Sequence, residues 1–321
     1  MSKATERSAT PLARQADDFA VSVLEGLSRP KKSLPCRFFY DAKGSGLFED
    51  ITRQPEYYPT RVEVGILTAN AMQMLEGALA ETVLVEFGSG SSIKTEILLG
   101  HLPRLHAYVP IDISESALTD ARERLTARFS GLNIQLLLGD FSRPIELPLE
   151  LAERPKLGFF PGSTIGNFVP AEATQLLRAM RETLSPRGKL IIGVDLKKDV
   201  RQLVAAYDDA NGVTAAFNLN LLVRINRELD ATFDLQAFRH AATYEPFEGR
   251  IEMHLVSLKD QDVWVAGRKI RFRTAETIHT ESAYKYTIEE FHLIAQAAGW
   301  TPLRVWKDHL SLFSVHELVA P

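Results

Sequence analysis

The sequence predicts an α/β protein, a doubly wound sheet accompanied by a second, α+β domain, and three observations carry that prediction. From Glu81 to Asp195 the chain repeats one pattern: a short β-rich apolar run, a polar turn, then a segment with helical spacing. The runs Leu84-Val85 and Leu190-Ile191-Ile192 do not alternate with polar residues, as expected of parallel strands buried on both faces. After Asp195 the alternation of strand and helix stops, and strand-like runs follow one another.

Taken in order, Lys32 to Pro59 is rich in aromatics, Gly and Pro without a clean period, and reads as a capping segment rather than a sheet strand. Strands are predicted at Thr82–Phe87, His106–Ile113, Ile134–Leu138, Leu157–Phe160 and Lys189–Val194. Helices begin near Ile93, Glu115 and Ala171, the last ending at Leu184 before Ser185-Pro186-Arg187-Gly188, a stop with both Pro and Gly. Further on, Leu203–Phe217 and Leu221–Leu229 read as helices, and Arg250–Lys259 and Val263–Arg273 as strands. A helix over Ile288–Ala298 then leads to Leu303–Lys307 and Leu310–Glu317, a terminal hairpin that completes the sheet. The expected organisation is a core of residues 62–195 and 288–321 and a discontinuous second domain of residues 10–61 and 196–287.

Composition narrows the function. The 321 residues are 45% hydrophobic and 24% charged, the usage of a folded globular protein rather than a disordered or membrane one. A net charge of -4, with basic clusters no longer than Lys31-Lys32 or Lys197-Lys198, gives no footprint for nucleic acid and favours a small-molecule substrate. Cys36 is the only cysteine, so no internal disulfide can form, and a cytoplasmic location is expected. Met1 to Gln15 lacks an export signal, and no stretch reaches about 18 uninterrupted apolar residues. No His/Cys spacing suits a metal, so no metal, no membrane and no nucleic acid are expected, and the chain is read as a monomer.

The strongest local signal is Glu86-Phe87-Gly88-Ser89-Gly90-Ser91-Ser92 after the first core strand. Ligands of doubly wound sheets bind beyond the carboxyl ends of the strands, where glycines let the backbone approach them. A dinucleotide fingerprint needs a third glycine where Ile93 stands, and the phosphate loop needs Gly-Lys-Ser/Thr, so an adenosyl ligand without a pyrophosphate fits better. Asp112, ending the second strand, is either an acceptor for ribose hydroxyls or an acid capping the next helix. Asp140-Phe141 pairs an acceptor for an adenine amino group with a ring able to stack on the base, or is an Asp turn beside a core Phe. Gly162-Ser163-Thr164-Ile165-Gly166-Asn167-Phe168 follows the fourth strand, next to where a transferable methyl would sit. Asn167 can both donate and accept there, or it caps the following helix.

Phe38-Phe39-Tyr40-Asp41-Ala42-Lys43-Gly44-Ser45, Pro55-Glu56-Tyr57-Tyr58-Pro59-Thr60-Arg61, the glycine loop, Gly162 to Asn167 and Tyr207-Asp208-Asp209-Ala210-Asn211-Gly212-Val213-Thr214 together resemble the histidine-specific, S-adenosylmethionine-dependent methyltransferases. The resemblance runs from about Lys32 to the C-terminus. It implies a Rossmann-like class I methyltransferase core with a substrate-binding domain, S-adenosylmethionine as cofactor, and trimethylation of the α-amino group of L-histidine to hercynine, towards ergothioneine. By position it implies that Tyr40, Gly88, Lys94, Asp112, Asp140 and Phe141 line the cofactor. Tyr57, Asn167 and Tyr207 would hold the amino and carboxylate groups of the substrate, Met253 would pack beside the imidazole, and Glu281 would accept its N–H. Tyr57 and Asn167 are the catalytic candidates, orienting the amine. Without the resemblance, Tyr57 and Tyr207 read as aromatic core and Met253 as core filler.

One position departs from the family pattern. A serine is expected two residues after the glutamate, but the order here is Glu281-Ser282-Ala283, and Ala283 cannot make that hydrogen bond. Two alternatives therefore stand beside histidine: methylation of another aromatic amino acid such as tryptophan, and a cofactor-binding subunit without turnover.

Overall fold

The computed structural model describes residues 11–78, 81–90, 93–102, 104–185 and 187–320. Ser91 and Ser92 of the glycine loop, Pro186 of the helix stop, and the expected domain limits at residues 10 and 321 lie outside the described residues. The chain forms two compact units. One comprises Tyr57–Gln202, Pro246–Arg250 and the chain from Ala283 onward; the other comprises the described residues up to Glu56, Leu203–Glu245 and Ile251–Ser282.

The first unit is built on a seven-stranded sheet. Across it the strands run Thr301–Lys307, Phe313–Val319, Lys189–Asp195, Lys156–Phe160, Val83–Phe87, Ala107–Asp112 and Leu137–Leu138. The five from Lys189–Asp195 to Leu137–Leu138 are parallel, while Phe313–Val319 pairs antiparallel with Lys189–Asp195 and Thr301–Lys307 pairs antiparallel with Phe313–Val319. Val83–Phe87 sits at the switch point, with Val85 opposite Val109 on one side and Gly158 on the other. Its side chains alternate between two apolar layers. Val83, Val85 and Phe87 pack with Leu176, Leu177, Met180 and Phe291, whereas Leu84 packs with Ile66, Leu67, Leu98 and Leu125. Each such buried side chain stabilises the fold by about 1.5–3 kcal/mol relative to exposure, before entropy is charged against it.

Several boundaries differ from expectation, each for a local reason. Ile134 makes only an isolated bridge to Tyr108, so the outermost strand shrinks to Leu137–Leu138. The final strand starts at Phe313 because the Asp308 carboxylate accepts from the N–H groups of Leu310, Leu312 and Phe313, tying up the turn before it. Tyr57–Arg61, expected in the second domain, falls in the sheet unit because Tyr58–Met74 is one continuous helix started by Pro59.

In the second unit a four-stranded sheet runs Lys32–Ser33, Thr277–Tyr284, Arg250–Ser257, Phe238–Glu245, its end residues Arg250, Ala283 and Tyr284 being counted with the first unit. Lys32–Ser33 is thus a short strand, pairing in parallel with Ile278 and His279, where only a capping segment was expected. The stretch Val263–Arg273 is a hairpin, Gln261–Val265 and Arg268–Phe272, not one strand. Its turn is Ala266-Gly267, both at positive φ. The expected helices Leu203–Phe217 and Leu221–Leu229 are instead Val200–Ala205 and Val213–Glu228. The break falls at Tyr207–Gly212, where the Asp209 carboxylate accepts from the N–H groups of Val213 and Thr214 at 2.9 and 2.7 Å and starts the second helix.

Candidate active site

Within the sheet unit, the candidate residues gather at the carboxyl ends of the central strands. Gly88 continues the first core strand by donating to the Ile111 carbonyl at 2.8 Å, then turns at φ +77. A Cβ there would stand 3.5 Å from the Phe141 ring, and a Cβ on Gly90 would meet none of the described residues within 4 Å. Phe141 packs edge-on against Phe87 and Phe160, with centroids 6.3 and 5.7 Å away. The structure thus brings Gly88 and Phe141 together, while Asp140 is exposed and accepts from the Ser142 N–H at 2.9 Å.

Asp112 ends the neighbouring strand. Its carboxylate accepts from the Ser114 N–H at 2.9 Å, and the cap of the next helix is Ser114, not Asp112. Burial pushes the Asp112 carboxyl above its ordinary pKa, opposed by backbone N–H groups of Ser114, Ser89, Ile113 and Gly90. Beneath the loop, Glu86 is fully buried and accepts from Thr95 Oγ1 at 2.6 Å and from the Tyr108 hydroxyl. Burial raises its pKa to about 7.

The turn after Lys156–Phe160 is a short 3-10 helix, Thr164–Asn167, entered through Ser163 at φ 57. Asn167 closes it and does not cap the helix Pro170–Thr183, whose N-cap is Val169. Two contacts hold the turn. The Asp195 N–H donates to Ser163 Oγ at 2.9 Å, and Gly166 lies so close to the Tyr284 backbone that a Cβ would meet its carbonyl oxygen at 2.7 Å. Lys94 reaches the same region, 2.5 Å from a Glu63 oxygen. Tyr57, 9% exposed, precedes the helix Tyr58–Met74, and its carbonyl accepts from Arg61.

The remaining candidates lie in the other unit. Tyr40 is 42% exposed, its ring edge-on to Phe48 and Phe217. The Tyr207 carbonyl accepts from His240 Nε2–H at 2.8 Å, and His240 Nδ1 in turn accepts from the Asn218 amide at 2.8 Å, which fixes the tautomer. Burial lowers the His240 pKa, so this ring stays neutral near pH 7. Met253 is buried on Arg250–Ser257, and its carbonyl accepts from Thr280 Oγ1 on the adjacent strand. Glu281 follows Thr280, and both are buried. Burial, reinforced by the Glu281 charge, pushes the Cys36 thiol up to about 12. Ser282 Oγ lies 3.0 Å from His279 Nε2, and Ala283 is buried.

Sequence reading missed two buried charge sets in the sheet unit. Asp195, 1% exposed, accepts from Tyr58 Oη at 2.8 Å and pairs with Lys285 at 2.8 Å and Lys198 at 2.5 Å. Burial alone would raise its carboxyl, but the two ammonium groups outweigh it and hold the pKa below the ordinary value. The other is Glu63, buried with Ile66, Leu67, Ala71 and Met74. That spacing was a readable signal: a glutamate at i of an apolar i, i+3, i+4 stripe is placed in the core. Among the described residues no group of three or more His, Cys, Asp or Glu side chains could hold a metal ion, and no helix is long and apolar enough to cross a membrane.

Residues 19–320 match the family described as histidine-specific, S-adenosylmethionine-dependent methyltransferases. The chain is 42% identical to a histidine N-alpha-methyltransferase of Mycolicibacterium smegmatis over 89% of its length and 90% of that protein. It is 41% identical to the histidine N-alpha-methyltransferase of Mycobacterium tuberculosis, over 91% and 92%. Its fold is similar to that of an S-adenosylmethionine-dependent methyltransferase from Clostridium acetobutylicum, with a TM-score of 0.51 at 12% identity, covering 86% of this chain and 98% of that one.

Proposed function

The chain belongs to the histidine-specific, S-adenosylmethionine-dependent methyltransferases, and from that premise we propose that it methylates the α-amino group of L-histidine, up to the trimethylated betaine hercynine, in ergothioneine biosynthesis. The observation that carries this reading is the 42% identity, over nearly the whole of both chains, to a histidine N-alpha-methyltransferase. The loop geometry supports the cofactor. Gly88 at positive φ beside Phe141, a Gly90 that no described residue crowds, and the Asp112 carboxylate at the next strand end suit an adenosyl group, with Lys94 as the cation for the carboxylate of the cofactor's methionine part. We assign Tyr40, Gly88, Lys94, Asp112, Asp140 and Phe141 to the cofactor and Tyr57, Asn167, Tyr207, Met253 and Glu281 to the amino acid.

The cofactor supplies an electrophilic methyl on a sulfonium. The protein's work is to present the neutral amine in line with it, because a protonated amine has no free lone pair. Tyr57 and Asn167 orient that amine, Tyr207 holds the carboxylate, and Glu281 accepts the imidazole N–H beside Met253. No covalent enzyme intermediate forms. Tyrosine rings accommodate the growing cation. Ala283 leaves the imidazole one contact short, and Ser282 is engaged with His279, so this chain should bind histidine less tightly than a relative carrying serine at that position.

Mass spectrometry of the product from L-histidine tests the reading: successive gains of one, two and three methyls are expected. Turnover of tryptophan or tyrosine with histidine untouched would replace the substrate. Cofactor binding without transfer to any free amino acid would replace the activity.

A further inference from the structure

Glu63 is unusual among the charged groups of the sheet unit. It is 1% exposed, projects from the helix Tyr58–Met74, and engages a second helix and a turn at once. The Gly162 N–H donates to both of its oxygens at 3.0 Å, and Lys94 Nζ lies 2.5 Å from one of them. Space for the carboxylate exists only because residue 193 is glycine: a Cβ there would fall 2.1 Å from Glu63 Oε1. The Lys94 ammonium also lies over Gly162, 3.4 Å from where its Cβ would stand. One buried carboxylate therefore ties three pieces of chain together: the helix that follows Tyr57, the helix that carries Lys94, and the turn that ends at Asn167.

An ammonium has three donors, and Glu63 takes one in a fixed direction. We propose that Glu63 is a positioning residue for methyl transfer, aiming the Lys94 ammonium at the cofactor and setting the height of the Gly162–Asn167 turn; this rests on the assignment of Lys94 and Asn167 made above. The carboxylate does not touch the reacting atoms. It holds the Lys94 side chain in place, and it gives the Gly162 N–H an acceptor fixed in position.

The test uses Glu63→Gln, Lys94→Met and the double variant in the full chain, with S-adenosylmethionine and S-adenosylhomocysteine titrated by calorimetry and kcat and KM measured with L-histidine. The glutamine can still accept from the Gly162 N–H but not neutralise the ammonium. Each single variant should weaken cofactor binding by about tenfold or more, the size of one charge-assisted hydrogen bond. The double variant, which buries no unpaired charge and so keeps the test open if Glu63→Gln folds poorly, should lose little more than Lys94→Met alone. Fully additive losses, or Glu63→Gln that melts lower but binds and turns over as the parent does, would overturn the proposal and leave a structural ion pair. If Lys94→Met itself binds cofactor normally, the proposal falls together with the assignment of Lys94. If Lys94→Met weakens binding and Glu63→Gln does not, only the proposal falls.

Discussion

Gly166→Ala isolates the turn that ends at Asn167 from the rest of the protein. The new Cβ would meet the Tyr284 carbonyl oxygen at 2.7 Å and its nitrogen at 3.3 Å, both backbone atoms that cannot rotate away. Ordinary contact is about 3.5 Å, so the two segments must part by roughly 0.8 Å. Tyr284 is 2% exposed and packed in the core, so the smaller 3-10 turn moves, and Asn167 with it. Misplacement on that scale costs up to about a hundredfold in rate, or roughly 2.7 kcal/mol in the barrier. Overpacking adds roughly 1–3 kcal/mol of instability, which a melting curve measures separately. The expected outcome is kcat with L-histidine down about ten- to a hundredfold, with S-adenosylmethionine affinity by calorimetry within about threefold of the parent. Gly65→Ala is the control, since a Cβ there meets nothing within 4 Å and alanine favours its helix. A folded Gly166→Ala enzyme with unchanged kcat would refute the claim that this turn sets the geometry of transfer. Parallel loss of cofactor binding would show that the turn holds the cofactor instead.

Three further outcomes are expected. Glu281→Ala should impair histidine turnover far more than cofactor binding, and equal effects would remove Glu281 from the substrate contacts. Asp195→Asn leaves Lys198 and Lys285 buried without their counter-ion and should destabilise the sheet unit by about 3–5 kcal/mol, read as a shifted urea midpoint in tryptophan fluorescence; a shift under about 1 kcal/mol would show that the cluster is solvated. His316 is buried between Ser314 and His292, and burial lowers its pKa from 6.5 to about 3. Between those values the unfolded chain binds the extra proton, so stability rises with pH across the window. Acidification from pH 6.5 should therefore cost up to about 1.4 kcal/mol per unit. His316→Gln should flatten that slope, and an unchanged slope would assign it to other groups.

The parallel core was legible because its signals are local. Val83–Phe87 and Lys189–Asp195 are near-continuous apolar runs, and the Gly88 loop announces where the first of them ends. Motifs resembling a family carried the proposed site further than pattern alone, since nothing in the spacing of Tyr207 and Met253 separates the roles proposed for them from those of core residues. The burial of Glu63 was readable from its apolar stripe, but the partners of the buried charges were not. Glu63 needs Gly193 and Gly162, and Asp195 needs Tyr58 and Lys285 besides the nearby Lys198, partners far away in the sequence. The second unit misled the reading for a related reason. Phe238–Glu245 and Thr277–Tyr284 are strands of mixed burial, and the break at Tyr207–Gly212 is made by Gly212 at positive φ together with the Asp209 carboxylate that accepts from the Val213 and Thr214 N–H groups.

The strand Phe313–Val319 lies inside the sheet, between Lys189–Asp195 and Thr301–Lys307. During synthesis, Lys189–Asp195 therefore emerges with one row of N–H and C=O groups unpaired and waits for more than a hundred further residues before its neighbour arrives. An apolar strand held open in that way is a template for the wrong partner. Folding yield should therefore be most sensitive to changes in the last strand, even ones that leave the finished enzyme's activity unchanged.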